Sequence, residues 1–170
     1  MKPEKPKKIR RHEESADLDR IDRELLRALQ QNARLANKEL AARVGLAESS
    51  CHERVKRLVA SGVLRGFHAE VEPRALGVGL QALVAVKLQR HTSSAVTSFR
   101  EAVLAHGETV ALFHVAGAND FLVHVAVRDS DALRDFILRA FTARPEVGHV
   151  ETSLIYEHAR NAGFGTVDVS

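Results

Sequence analysis

The sequence has a single cysteine, Cys51, and no apolar run long enough to cross a membrane. One cysteine rules out an intrachain disulfide and a zinc site built from several cysteines. Because a transmembrane helix needs about 18 or more consecutive apolar residues, no membrane span is expected. The first 17 residues also lack the apolar run of a secretory signal. These absences predict a protein of the reducing cytoplasm with no membrane partner.

The charge is small in total but unevenly distributed. The 170 residues carry a formal net charge of +3, and 45% of them are apolar and 28% charged, as in one globular domain or two small ones. Residues 1–79 hold 17 Lys/Arg against 12 Asp/Glu, whereas residues 80–170 hold 8 against 10. The first half is therefore basic and the second slightly acidic, which favours an anionic partner for the first half.

Residue spacing divides the chain into five segments. Residues 1–17 mix charges with two prolines and have little to bury, which predicts a disordered basic arm that is either a solvated tail or lies along phosphate. Apolar residues at helical spacing predict three helices in residues 18–64. Residues 65–79 contain glycines and a proline, which predicts a linker with a possible strand. Residues 80–157 form a second domain, and residues 158–170 form a C-terminal tail.

The second domain alternates strands with helices in the order β-α-β-β-α-β, which is typical of the ferredoxin-like fold. This fold is a four-stranded antiparallel sheet with both helices on one face. Because the predicted strands are apolar on both faces, the open face needs a cover, and a second copy of the same sheet is the simplest one. The predicted fold class is α+β, a winged-type helix-turn-helix domain followed by a ferredoxin-like domain. Its strands are predicted at residues 80–88, 110–116, 121–127 and 147–156, and its helices at residues 93–105 and 130–141.

The second and third helices of the first domain, joined by a short turn at residues 45–48, form a helix-turn-helix pattern. The third helix begins with small polar residues on the face away from its apolar stripe, which suits an approach to base edges in the major groove. Arg54 and Arg57 have the geometry for bidentate contacts to guanine or phosphate, and Lys38 and Arg43 suit the DNA backbone. A charged face that is merely solvated is the alternative. The candidate DNA-binding residues are Lys38, Arg43, Ser49, Ser50, His52, Arg54, Lys56 and Arg57.

Several short blocks, in order and at matching spacing, resemble the Lrp/AsnC family of feast/famine transcription regulators. The blocks are LDRIDRELL (18–26), NAR (32–34), ELA (39–41), VGL (44–46), CHERVKRL (51–58), GVLRGF (62–67) and VAGANDF (115–121). The resemblance covers about residues 18–160. It implies DNA binding by the first half and dimerisation through the sheet of the second half. It also implies assembly into octamers or similar rings and control by a small-molecule effector, usually an amino acid.

The loop after the second strand is the candidate effector site. Gly117 and its neighbours offer backbone N–H groups for an anion, and Asp120 offers a carboxylate for an ammonium group. The residues alone favour a simple hairpin turn, whereas the resemblance implies an effector site, because the glycine-and-aspartate loop of the family borders its effector. The resemblance also implies pocket positions outside the loop. The candidate effector-binding residues are His114, Gly117, Asn119, Asp120, Ser130 and Ser153.

The nine histidines raise the question of a metal or a catalytic site. No closely spaced histidine pair is accompanied by a carboxylate, so neither a metal nor another cofactor is expected. The hairpin register decides whether His114 and His124, on adjacent strands, share one face of the sheet. The sequence offers no paired acid and base for catalysis, so an enzyme is not expected. Cys51 lies on the apolar stripe of the third helix and is expected to be a small buried hydrophobe.

The sequence thus predicts a sequence-specific DNA-binding regulator controlled by a small molecule. Three alternatives stay open at this point. The first is an architectural DNA-binding protein of the same fold that needs no effector. The second is a metabolite sensor whose DNA-binding domain is vestigial. The third is an enzyme built on the ferredoxin-like domain, against which the lack of an acid–base pair argues.

Overall fold

The computed structural model describes residues 18–161 and residue 163. These residues divide into two compact units, one of residues 18–69 with residues 160, 161 and 163, and one of residues Glu70–Ala159. The division falls inside residues 65–79, the predicted linker. The predicted basic arm lies outside the described residues, as does most of the predicted C-terminal tail.

The first unit consists of three helices, α1 (Arg20–Gln31), α2 (Asn37–Val44) and α3 (Glu48–Ala60). Their apolar stripes meet in a small core around Leu25 and Cys51. Cys51 is fully buried, and this burial raises the pKa of its thiol. The cysteine therefore packs as a neutral apolar side chain, as its place on the apolar stripe predicts.

The start of α1 and the end of α2 follow local sequence rules, whereas the start of α2 does not. Asp19 caps α1 by accepting a 2.8 Å hydrogen bond from the backbone N–H of Asp22. Gly45 ends α2 with a φ of 68°, in the left-handed region that glycine adopts most easily. Asn37, which the sequence rules favour as the N-cap of α2, is instead its first residue. Its side-chain amide donates a 2.8 Å hydrogen bond to the carbonyl of Glu48, which ties the starts of α2 and α3 together.

The second unit is one sheet with two helices. Its elements are β1 (Leu80–Leu88), α4 (Ser93–Leu104), β2 (Thr109–His114), β3 (Phe121–Val127), α5 (Ser130–Ile137) and β4 (Val147–Leu154). The strand order β2-β3-β1-β4 with antiparallel neighbours confirms the predicted ferredoxin-like fold. A 3-10 turn (Pro73–Leu76) precedes the sheet, and a π-helical turn (Leu138–Thr142) extends α5. The edge strands β2 and β4 end two residues earlier than the sequence predicts.

One face of the sheet carries the core of this unit. Alternate residues of β1 and β3, from Ala82 to Leu88 and from Phe121 to Val127, are buried there. They pack against Phe99 of α4 and against Phe136 of α5. Both helices therefore cover the same face, and no helix among the described residues of this unit packs on the opposite face.

The open face of the sheet is apolar at its centre and polar at its margins. Leu83 of β1, Leu122 of β3 and the half-exposed Phe113 of β2 lie on this face, since the paired residues of neighbouring strands share a face. The prediction of strands apolar on both faces is wrong for β4, whose Glu151 and Ser153 point to this side. The open face is therefore a central apolar patch with a polar edge.

The predicted linker has little regular secondary structure besides the 3-10 turn. Residues 61–79 contain no strand, so neither the possible strand of the linker nor the hairpin of a winged domain forms among them. Phe67 and Val71 of this stretch are about half exposed. None of the helices in the described part of the chain is long and apolar enough to span a membrane.

Candidate DNA interface and effector loop

Helix α3 presents a polar stripe to solvent, opposite its buried Cys51 and Leu58. The helix begins after Ala47, which has no side-chain oxygen, so no side chain caps its first N–H groups. Uncapped N–H groups at a helix start attract anions such as phosphate. The exposed residues of the stripe are Ser49, Ser50, His52, Glu53 and Lys56.

The candidate residues on α2 are also accessible. Lys38 lies in the first turn of α2 and Arg43 in its last turn, and both are exposed. The amide of Asn37 fixes the start of α2 to the start of α3, as described above. Helix α2 is thus connected to the start of α3 at both of its ends, by the Asn37 hydrogen bond at its start and by the short turn with Gly45 at its end. This arrangement suits a pair of helices that meets DNA as one rigid body.

Arg54 and Arg57 are engaged by α1 as well as being candidates for DNA contact. Arg54 Nη1 lies 2.6 Å from Asp19 Oδ2 and 2.9 Å from Asp22 Oδ1, and Arg57 Nη2 lies 2.6 Å from Asp22 Oδ2. Asp22 is the one polar or charged residue that is buried among the described residues, with 1% of its side chain exposed. Because an unpaired buried carboxylate is costly, the two arginines are what make its burial tolerable.

Two members of this network, Asp19 and Arg54, have shifted pKa values. The backbone N–H of Asp22 and the guanidinium of Arg54 hold the pKa of Asp19 below its usual range. The carboxylates of Asp19 and Asp22 raise the pKa of Arg54 further. Sequence reasoning missed Asp22. The signal was a lone carboxylate on the apolar face of α1, between Ile21 and Leu25.

Four of the candidate effector residues lie together at one end of the sheet. His114 ends β2, Asp120 precedes β3, and Gly117 and Asn119 are in the loop between them. The backbone N–H of Val115 donates to the carbonyl of Asp120 over 3.0 Å and closes the loop. Gly117 has a φ of 139°, a conformation that side chains disfavour and glycine permits.

The carboxylate of Asp120 already has partners within the fold. Its Oδ2 accepts a 2.7 Å hydrogen bond from the N–H of Leu88, and its Oδ1 lies 2.8 Å from Nδ1 of His91. Burial alone would raise the pKa of Asp120, but the contacts with Leu88 and His91 outweigh it and hold the pKa below its usual range. Asp120 therefore fastens the end of β1 to the loop, and only its remaining lone pairs are free for an effector ammonium.

Two residues that sequence reasoning missed complete this end of the sheet. The ring of His114 is stacked between His91 and Phe121, with centroids 5.5 and 4.8 Å away. Lys87 Nζ donates a 2.9 Å hydrogen bond to the carbonyl of Ala118. His91 and Lys87 precede the loop by about thirty residues and reach it only because β1 pairs with β3, a contact that no short motif encodes.

Ser130 and Ser153 lie near the opposite end of the sheet. Ser130 begins α5 after β3 has ended, and Ser153 is paired with Leu83 near the start of β1. The Asp120 carboxylate contacts Leu88, five residues further along β1 and about 17 Å away at the usual rise of a strand. The structure therefore does not bring the six candidates together within one chain.

The histidines do not assemble into a metal site in the described part of the chain. No group of three or more His, Cys, Asp or Glu side chains there is placed to hold an ion. His114 pairs with Phe121 on the core face, whereas His124 lies on the open face, 2.8 Å from Gln81 Oε1. The two histidines therefore point to opposite sides of the sheet. Burial lowers the pKa of His124, with a further decrease from the nearby His158.

We expect Arg54→Ala to destabilise the helical unit by about 1–3 kcal/mol, because Asp22 keeps only one of its two charged partners. Lys56→Ala removes an equal charge from the exposed side of the same helix and should change stability by less than about 0.5 kcal/mol. Urea unfolding of both variants measures the difference. Equal stabilities would show that Arg54 does not hold α3 to α1.

The lowered pKa makes the contribution of Asp120 dependent on pH. Its folded-state pKa lies below the unfolded value of 3.8, so its stabilisation is present above that value and is lost as pH falls through the folded-state pKa. Asp120→Asn should therefore lower the melting temperature at neutral pH, and its difference from the parent should shrink below about pH 4. Thermal unfolding at several pH values checks this. A difference that stays constant with pH would contradict it, and Asp131→Asn on the exposed side of α5 is the control.

Two family models match the chain, one in each unit. A model described as the AsnC-type helix-turn-helix domain matches residues 18–59, which contain α1, α2 and most of α3. A model described as the Lrp/AsnC ligand binding domain matches residues 81–162, which contain nearly the whole sheet and both of its helices.

Individual relatives match over nearly the full chain. The HTH-type transcriptional regulator AldR of Mycolicibacterium smegmatis is 42% identical over 160 residues, which cover 94% of this chain and 91% of that protein. The crystal structure of AldR of Mycobacterium tuberculosis has a TM-score of 0.76 and 38% identity, covering 86% of this chain and 97% of that one. A transcriptional regulator of Neisseria meningitidis in complex with L-methionine has a TM-score of 0.77 and 30% identity, covering 85% and 93%. The helical unit, the sheet with its loop and these likenesses together establish that the chain belongs to the Lrp/AsnC family of transcription regulators.

Proposed function

We propose that the protein is a sequence-specific DNA-binding transcription regulator whose DNA binding or assembly is changed by a small-molecule effector, with amino acids as the favoured class. One observation carries the proposal: a helix-turn-helix with an exposed polar recognition stripe is joined to the ligand binding domain of the family. The L-methionine complex of the Neisseria regulator supports the class of effector. A regulator of this kind works in the cytoplasm, where the DNA lies.

In this proposal α3 enters the major groove with its N-terminus towards the bases. Ser49, Ser50 and His52 are short enough for base edges to come close, and Lys38 and Arg43 of α2 bind the DNA backbone. A dimer would present two such helices to half-sites about 34 Å apart, which is one turn of DNA. The operator would then be close to palindromic, as the two-fold symmetry of the dimer requires.

The open face of the sheet is the proposed site of self-association. Leu83, Leu122 and Phe113 form an apolar patch on the face of the sheet opposite to the one that α4 and α5 cover. A second copy of this face is complementary to it in hydrophobicity and gives a two-fold homodimer. From the resemblance to the family, we further expect these dimers to assemble into larger oligomers, up to an octamer.

The positions of the candidate effector residues favour a site shared between chains. The Asp120 loop and Ser130 are at opposite ends of the sheet, so a ligand that contacts both kinds of residue must lie between two copies. An effector bound there is sensitive to how the copies are arranged. If it binds one arrangement more tightly, it shifts the population of assemblies and thereby the spacing of the recognition helices.

The effector-independent architectural protein is the second candidate function. It is favoured by the pairing of both recognition-helix arginines with α1, which leaves fewer free side chains for reading bases. We propose no catalytic role, since the family and its relatives are transcription regulators.

Binding to DNA as a function of sequence and salt distinguishes these functions. A duplex selected by the protein from a random pool should bind at least about a thousandfold more tightly than random-sequence duplex at physiological salt. An architectural protein should bind both with similar affinity and similar salt dependence. Loss of all DNA binding with intact ligand binding would instead indicate a metabolite sensor.

A thermal-shift screen of the twenty amino acids tests the effector. A ligand present at a hundred times its Kd should stabilise the folded protein by about 2.7 kcal/mol. The hit should also change the affinity of the protein for its selected duplex, because binding and assembly are linked. If the protein bound its selected duplex specifically but no amino acid stabilised it, the proposal of an amino-acid effector would be wrong.

Leu83→Glu should convert the assembly to monomers, because two-fold packing buries the introduced carboxylate twice without a partner. Leu104→Glu places the same charge on an exposed position of α4 and should leave the mass unchanged. Sedimentation equilibrium of both variants measures the outcome. An unaltered oligomer in Leu83→Glu would show that the open face is not the interface.

A further inference from the structure

We propose that Asp22 is a positioning residue of the DNA interface. Asp22 holds Arg57 in one orientation and leaves part of the Arg57 guanidinium free to bind a DNA phosphate. Arg54, in contrast, stabilises the contact between α1 and α3 and does not touch DNA. This inference rests on the proposed DNA-binding function and divides two residues that look equivalent in the sequence. They lie one turn apart on α3 and both reach the same buried carboxylate.

The contacts of the two arginines differ. Arg54 Nη1 is shared by two carboxylates, those of Asp19 and Asp22, and 28% of the Arg54 side chain is exposed. Arg57 contacts Asp22 through Nη2, and 58% of its side chain is exposed. A guanidinium has five N–H donors in a rigid fork, so one edge can stay on Asp22 while another meets a phosphate.

The electrostatic surroundings of the two arginines also differ. The carboxylate of Asp19 is 49% exposed beside Arg54, so a phosphate approaching Arg54 would meet a negative charge at the surface. The carboxylate behind Arg57 is that of Asp22, which is 1% exposed and cannot come near DNA. The carboxylate that Arg57 contacts therefore presents no negative charge to an approaching phosphate, whereas that of Asp19 beside Arg54 does.

The position of Arg57 on the helix fits a phosphate contact. Arg57 follows Ser50 by seven residues, so it lies two turns along the same side of α3, about 10 Å along the helix axis. The major groove is about 12 Å wide. A helix whose first turn is at the bases therefore brings Arg57 close to the wall of the groove, where the phosphates are.

Asp22 contributes by fixing Arg57 before DNA arrives. A free arginine loses much rotamer entropy when it binds, and a side chain already held in its bound orientation loses less. Asp22 is suited to this task because it is itself buried at the junction of α1 and α3. Its charge is thus used to orient a cation that it does not fully cover.

The test is the salt dependence of binding to random-sequence duplex DNA, measured with the full chain between about 50 and 200 mM salt. Arg57→Gln should lower the magnitude of the slope of log K against log salt by about 0.9 for each Arg57 on the DNA. Arg54→Gln should leave the slope unchanged while lowering the free energy of unfolding. Arg139→Gln is the matched control, because Arg139 is an ion-paired and similarly exposed arginine of the other unit.

Two further variants test the positioning role of Asp22. Arg57→Lys keeps the charge but lacks the fork, so it should retain the slope and lose affinity about 3- to 10-fold. Asp22→Asn should also lose affinity several-fold with the slope retained. If Asp22 only neutralised the arginines, Asp22→Asn would instead bind DNA more tightly and with a steeper slope, and this result would overturn the positioning role. Far-UV circular dichroism confirms the fold of each variant at the assay temperature, and Arg57→Lys decides the question if Asp22→Asn is unfolded.

The remaining outcomes also separate the two proposals. An unchanged slope in Arg57→Gln would remove Arg57 from the phosphate contacts. An equal loss of slope in Arg54→Gln would overturn the division between the two arginines. A parent protein that binds no duplex DNA would overturn the proposed function and this inference with it, whereas normal binding with equal slopes in the parent and Arg57→Gln would overturn only the inference.

Discussion

A sheet whose two helices both pack on one of its faces is the constraint behind the proposed mechanism. Both helices of the sensing unit pack on the face that carries Val84 and Phe121, because the two crossovers of a ferredoxin-like fold return to the same side. The other face keeps Leu83 and Leu122 half-exposed. The proposed self-association, the proposed ligand site between chains and the proposed spacing of two recognition helices all start from this one apolar face.

The helical unit has a smaller apolar core than the sheet unit, because a short chain buries a smaller fraction of its surface. Its core is a handful of side chains around Leu25, Leu40 and Cys51. The buried Asp22 adds a directional contact that reaches two successive turns of α3. Apolar contacts tolerate small rotations of a helix, whereas a carboxylate held between two guanidinium groups does not. The ion pairs of Asp22 therefore add to the apolar core in fixing the orientation of α3.

Much of this architecture could be predicted from the sequence, because the spacing of apolar residues and the glycines and prolines that end helices and strands are local features. The strand over residues 80–88 and the helix end at Gly45 follow from patterns that a few neighbouring residues complete. The partners of charged residues could not be predicted in this way. Asp120 looked available to a ligand because Leu88 and His91 reach it only through the pairing of β1 with β3. Arg54 looked available to DNA because its partners lie more than thirty residues away, on another helix.

The pairing of Asp22 with α3 also limits how freely recognition helices can be exchanged between members of the family. A recognition helix transferred from a relative keeps this orientation only if it has arginines at the positions of Arg54 and Arg57, from which they reach Asp22. The exposed residues Ser49, Ser50, His52 and Glu53 carry no such condition, since none of them is buried in the unit. Residues in the first turns of α3 can therefore be substituted to change binding specificity, whereas Arg54 and Arg57 must be kept to hold the orientation of the helix.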